Sequence, residues 1–249
     1  MNSDRSPASI ADYYDRAAET WDRTHGAARH NPRFAQQIRN SLECLLSFAE
    51  RSATALELGA GTGPYLDTAA PLFARLIATD LSDGMLAVCA RRVAQLGATN
   101  VTLLRQDACD LREIATESVD VVYSVGLLET VRDFDRLFKE SCRVLRRGGL
   151  VAGITSNGDC PWYRVRRKLQ GGERHGRTGQ LADAVSLEHA LRRAGFTPPK
   201  ITYWGAAPPG MQNSVLITLL SAAEMILAPT QLARYLGVLS FRAHKRDGL

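Results

Sequence analysis

The sequence predicts an α/β protein built on a mostly parallel sheet. Three observations predict it. From about residue 54 onward, short apolar runs alternate with segments of helical spacing, the pattern of βαβ units. The first of those runs empties into a glycine-rich turn. The next two runs end in, or are followed closely by, an aspartate. Strand carboxyl ends are where open parallel sheets bind ligands.

The first fifty residues read as helical. Ser9 is placed to cap a segment in which Ile10, Tyr13, Tyr14 and Ala17 fall at helical spacing. Pro32 starts a second helix to about residue 50, with Phe34, Ile38, Leu42, Leu45 and Leu46 apolar. Residues 54–58, 76–80, 101–104, 119–124 and 149–155 read as five strands. Helices at 64–72, 83–96 and 133–145 fall between them. The last of these runs into Arg146-Arg147-Gly148-Gly149, read as a C-cap with basic residues in the final turn. Residues 162–170 form a basic helix candidate, and Ser186 is read as the N-cap of a helix to Ala194. Residues 201–204 and 238–241 complete seven strand candidates.

Composition excludes several classes. With 45% hydrophobic and 23% charged residues, the 249-residue chain is an ordinary globular sequence with a sizeable core. Its formal charge of +5 tolerates an anionic substrate but is too small to argue for nucleic acid. Cys44, Cys89, Cys109, Cys142 and Cys160 are odd in number and lack zinc-type spacing. No metal is implied, and a reducing, cytoplasmic location is expected. The amino terminus lacks the apolar stretch of a secretory signal. The longest apolar run, 215–228, is broken by Thr218, Ser221 and Glu224. It falls short of the roughly 18–20 apolar residues of a membrane span.

The chemistry concentrates at three successive strand ends. Glu57-Leu58-Gly59-Ala60-Gly61-Thr62-Gly63 follows the first strand, and its glycines permit a sharp turn and close ligand approach. The second strand ends in Asp80, placed to bind ribose hydroxyls, and the third is followed by Gln106-Asp107-Ala108. A dinucleotide loop spaces its glycines Gly-x-Gly-x-x-Gly. Here the spacing is Gly-x-Gly-x-Gly behind Glu57, and an acid there suits a cationic ligand better than a diphosphate.

These motifs, with Ala78 to Met85, Val119 to Val131 and Arg143 to Gly149, resemble the class I S-adenosylmethionine-dependent methyltransferases. The likeness is closest to the small-molecule group that includes the ubiquinone and menaquinone biosynthesis enzymes, and it covers about residues 10–155. The resemblance implies a Rossmann-like three-layer sandwich. Its seven-stranded sheet is mostly parallel with an antiparallel last strand. It also implies an N-terminal helical lid and a helical insertion before the last strand. One domain is expected, with the lid at 1–50, the cofactor core at 51–158, a variable substrate side at 159–236 and the last strand at 237–249. S-adenosylmethionine is the implied cofactor and S-adenosylhomocysteine the product.

Residue roles follow from the same resemblance. Glu57, Gly59, Ala60, Gly61 and Gly63 would hold the methionine part, directly or through water. Asp80 would grip the ribose, Leu81 and Met85 would border the adenine, and Asp107 with Ala108 would contact its edge. Ser124 and Val125 would line the methyl-donor end, and Tyr14 or Trp21 would close over it. Relatives often carry Glu-His after the fourth strand, where this chain has Glu129-Thr130. The catalytic base is therefore open, with Glu129, His25, His30 and His175 as candidates.

A small-molecule acceptor is expected. A nucleic-acid methyltransferase is a weaker alternative because Ser124-Val125-Gly126-Leu127 replaces the Asn/Asp-Pro-Pro-Tyr type loop. A non-catalytic cofactor-binding subunit and a nicotinamide dehydrogenase are further alternatives. Arg164, Arg166, Arg167 and Lys168 could meet an anion or be a solvated face. The apolar 211–228 segment could wall a substrate pocket, touch a partner copy in a homodimer, touch a membrane, or be a plain core helix.

Overall fold

A computed structural model describes residues 6–24, 31–169, 181–208 and 210–246, with the side chains of 166–169 set aside. Seven strands form one sheet: β1 (Thr54–Leu58), β2 (Arg75–Asp80), β3 (Val101–Arg105), β4 (Val119–Val125), β5 (Leu145–Ser156), β6 (Lys200–Trp204) and β7 (Val238–His244). Their order is β3-β2-β1-β4-β5-β7-β6. β7 runs antiparallel to both its neighbours, and the pairs among β1 to β5 are parallel. The chain therefore reverses its winding between β1 and β4, the place where doubly wound sheets open a ligand crevice.

Central strands are buried on both faces, so they read as continuous apolar runs. Leu56, Leu58, Val122 and Val151 pack on one face with α6 (Phe134–Val144) and α8 (Ala184–Ala194). Ala55, Val121, Ala152 and Ile154 pack on the other with α3 (Pro32–Leu46), α4 (Leu66–Ala69) and α5 (Asp83–Leu96). This is the three-layer sandwich. Ahead of it lie α1 (Pro7–Ala17), a 3-10 turn and α2 (Trp21–Thr24). After β5 comes α7 (Pro161–Leu169), and between β6 and β7 comes α9 (Ser214–Leu227).

Several boundaries differ from the sequence expectation. Ser6, not Ser9, caps α1 and accepts from the Ser9 amide at 3.3 Å; a proline at the start of the helix moves the cap upstream. α3 stops at Leu46, and α4 starts at Leu66 and passes into a 3-10 turn at Ala70–Leu72. Asp183 caps α8, and Ser186 returns the bond in a capping box. Arg146 to Gly149 is not a C-cap: α6 ends directly in Leu145, already extended, and β5 begins there. A register shift between Val119 and Val121 marks the irregularity.

Gly153 on β5 lies opposite Phe241 on β7. A Cβ at Gly153 would sit 2.5 Å from Phe241 Cε1. That ring is fully enclosed and meets Phe138 edge-on at 6.1 Å. Gly153→Ala is accordingly expected to cost about 1–3 kcal/mol by overpacking, read as a lower urea midpoint with an unchanged slope.

Candidate active site

Gly59, Gly61 and Gly63 all adopt positive φ, at 68°, 57° and 73°, a region that other residues enter at a cost. The turn is pinned at both ends. Ala60 N–H donates to Thr79 C=O at 2.8 Å, and Gly61 N–H donates to Asp80 Oδ2 at 2.8 Å. The other Asp80 oxygen accepts from Ser82 N–H at 2.9 Å. Burial pushes the Asp80 carboxyl upward, and these backbone donors offset part of that.

Beneath the turn, Glu57 and Tyr123 are register partners on β1 and β4. Tyr123 Oη donates to Glu57 Oε2 at 3.0 Å, and both side chains are buried. Burial raises the Glu57 carboxyl to about 7; the negative charge of Asp80 adds to this, and the tyrosine bond opposes it. At the third strand end, Asp107 Oδ1 accepts from Cys109 N–H at 2.8 Å, which curls the chain back.

The N-terminal helices are stapled over this edge. Asp15 Oδ1 accepts from Ser82 Oγ at 2.5 Å and from Gly84 N–H at 2.8 Å, and these donors hold its carboxyl below the usual range. Asp22 accepts from Thr62 Oγ1 and from Arg92, each at 2.6 Å. Glu19 pairs with Arg91 at 2.7 Å. Tyr14 and Trp21 meet edge-on at 5.2 Å.

Together these elements enclose a cavity of about 360 Å³, within the range of small-ligand sites. Of the residues singled out from sequence, Tyr14, Gly59, Ala60, Gly61 and Asp80 line it. So do Leu81, Met85, Asp107, Ala108 and Val125. Glu57, Gly63 and Ser124 are not on its wall: Glu57 lies beneath the turn, and Gly63 faces Leu66 and Cys89. Glu129 is also off the wall, its Oε1 accepting from Ser156 N–H at 3.2 Å and Ser156 Oγ at 2.6 Å. His25, His30 and His175 lie outside the described residues.

The wall also holds residues that the sequence reading passed over. Pro7 and Ile10 stand seven and four residues before Tyr14; that spacing is the stripe of one helical face, and it could have named them. Arg132, Asp133 and Arg136 belong to the loop after β4 and the start of α6. Asp133 caps that helix by accepting from Arg136 N–H at 2.9 Å. Its position after a strand end was the available signal. Among the described residues, no cluster of His, Cys, Asp or Glu could hold a metal.

Comparison with known proteins agrees with this frame. Residues 56–153 match a family model described as a methyltransferase domain, and the sheet that carries them is Rossmann-like. The chain is 33% identical over 147 residues to malonyl-[acyl-carrier protein] O-methyltransferase of Methylococcus capsulatus, over 58% of this chain and 52% of that one. It is 38% identical over 94 residues to demethylmenaquinone methyltransferase of Thermobifida fusca, over 38% of this chain and 39% of that one. The matches thus span about half or less of these relatives. The structure of geranyl diphosphate C-methyltransferase from Streptomyces coelicolor A3(2) shares the fold, with TM-score 0.69, 16% identity, and 98% and 99% of the two chains covered.

Two outcomes test the site's construction. An unfolded carboxyl ionises near 4.5 and Glu57 near 7. Its contribution to stability is therefore full below 4.5 and is lost as pH rises through 7. Glu57→Gln should exceed the ligand-free wild type by about 3 kcal/mol at pH 8, a margin that vanishes towards pH 4.5; urea unfolding at both pH values measures it. At Gly84, a Cβ would fall 2.9 Å from Asp15 Cα and 3.0 Å from its C=O. Gly84→Ala should raise amide exchange across 7–24 while leaving the strands protected.

Proposed function

We propose that the protein is an S-adenosylmethionine-dependent methyltransferase acting on a small molecule. The observation that carries this reading is the convergence of the Gly59–Gly63 turn, Asp80 and Asp107 on one cavity from three adjacent strand ends. A diphosphate would need the turn's N–H groups. Gly61 N–H is instead committed to the Asp80 carboxylate, and Glu57 lies just below. Both favour a cationic ligand. The methionine part of the cofactor would lie along Gly59 to Gly61. Its ribose would bond to Asp80 through the lone pairs that Gly61 and Ser82 leave over. Leu81, Met85 and Ala108 would enclose the adenine, with Asp107 at its edge.

The cofactor supplies an activated methyl group; the protein's task is alignment and exclusion of water. Tyr14 and Trp21, held by the Asp15 and Asp22 bonds, would close the donor end from above. Residues 51–158 then serve the cofactor, 1–50 would cover it as a lid, and the acceptor would enter from the side of 159–236. The five cysteines are free thiols, which fits a cytoplasmic enzyme.

Among the described wall residues that follow Val125, Asp133 alone carries a carboxyl group, and it is engaged in capping α6. Thr130 spends its hydroxyl on Leu127 C=O at 2.8 Å, and burial pushes the Cys109 thiol to about 12. An acceptor that arrives already nucleophilic, such as a carboxylate or free amine, suits this wall. A phenol or alcohol would need a proton acceptor.

Asp80→Ala should weaken S-adenosylmethionine binding by about tenfold or more, since it removes a charge-assisted bond pair. Calorimetric titration measures this, and wild-type affinity in the variant would overturn the assigned register. No saturable binding to the wild type would overturn the reading itself.

A further inference from the structure

We propose that α9 and the turn that follows it form a docking surface for an anionic membrane leaflet. The sequence left this segment open between core, pocket wall, partner contact and membrane. The structure removes the first two. α9 has no buried residue, and none of its residues lines the cavity. Val215, Leu219, Met225 and Ile226 are 66%, 61%, 79% and 72% exposed, far more apolar surface than scattered single residues leave.

The helix is held from behind by its single acid. Glu224 Oε1 accepts from Gln37 Nε2 and Oε2 from Ala206 N–H, both at 2.9 Å. Those bonds tie its one negative charge to the body of the protein. Ser221 Oγ donates within the helix to Ile217 C=O at 2.7 Å. The outward side is thus apolar and free of acid.

Its flanks carry cations and amphipathic rings. In the 3-10 turn Gln231–Tyr235, Leu232 and Tyr235 are exposed, and the Arg234 guanidinium lies 5.2 Å from the Tyr235 ring centre. The start of α7 adjoins the next residue pair: Tyr163 stands 3.7 Å from where a Cβ would lie on Gly237. Beside Tyr163, Trp162 and Val165 are about half exposed, and Arg164 is exposed. Neither α7 nor the turn contains an acid. Apolar helix, aromatic rings and arginine without acid are complementary to anionic lipid. A second copy docked through the same face would set like charges together.

Fourteen residues reach only about 21 Å as a helix, so α9 would lie in the interface plane rather than cross it. No helix among the described residues is long and apolar enough to cross a membrane. Trp204 and Ser156, at the carboxyl ends of β6 and β5, both pair with Val238. The whole insertion therefore rises from the sheet edge that bears the cavity. If the methyl-transfer reading holds, docking presents that edge to amphipathic acceptors; the docking itself does not rest on that reading.

The test is sedimentation of the full chain with vesicles of phosphatidylcholine, alone or mixed with phosphatidylglycerol. Anionic vesicles should carry down about tenfold more protein than neutral ones, with the excess falling as salt rises. The double variant Leu219→Asp, Ile226→Asp should lose binding while keeping the wild-type melting temperature, because both positions are exposed. A blue shift of wild-type tryptophan emission on adding anionic vesicles reports the same event without a variant. Equal recovery in the supernatant with both vesicles, with no emission shift, would overturn the proposal. So would a wild-type dimer that these substitutions convert to monomer, since a second copy would then be the occupant.

Discussion

Two backbone N–H groups close on one carboxylate, and most of the site hangs from that closure. Gly61 and Ser82 both donate to Asp80. The first bond fixes a turn that only glycines can make without strain. The second fixes Ser82 at the start of α5. Ser82 Oγ then accepts from Met85 N–H and donates to Asp15 on α1. A single buried serine thereby joins strand end, helix cap and lid. The arrangement holds the pocket before any ligand arrives, which lowers the ordering cost of binding.

Much of this was legible in the sequence because the physical signals are local. A strand buried on both faces reads as a short, mostly apolar run, so Thr54–Leu58 is recovered residue for residue even with Glu57 inside it. Asp83–Leu96 is recovered likewise, since Ser82 and Gly97 cap it at both ends. The glycine turn and two aspartates stood out because they break that apolar rhythm at strand ends.

What was not legible depends on partners distant in sequence. Arg146 to Gly149 has the composition of a helix stop, yet pairing of Leu145 with Val119 makes it the start of a strand. Asp183 and Ser186 satisfy the same capping geometry from opposite sides, and only the backbone decides which is the cap. Glu57 reads by spacing as the acid behind the glycine turn, but its place beneath that turn, bonded to Tyr123 and off the cavity wall, depends on its register partner on β4. Hydropathy marks α9 as apolar and says nothing about what covers it; the two bonds of Glu224 settle its orientation.

The same carboxyl edge carries two kinds of surface, and their separation has a physical reason. The lid is bound by carboxylates: Asp15, Glu19 and Asp22 each meet donors on the turn or on α5. Polar staples of this kind crowd the β1 and β2 ends; the Asp22–Thr62 and Asp15–Ser82 bonds are part-buried there, while the Glu19–Arg91 pair faces solvent. Beyond β5 the edge carries exposed apolar side chains and arginines instead. An acceptor approaching from the β5–β7 side would cross apolar surface first and meet the polar donor end last. On the proposed methyl-transfer reading, that order would favour molecules with an apolar body and one nucleophilic group.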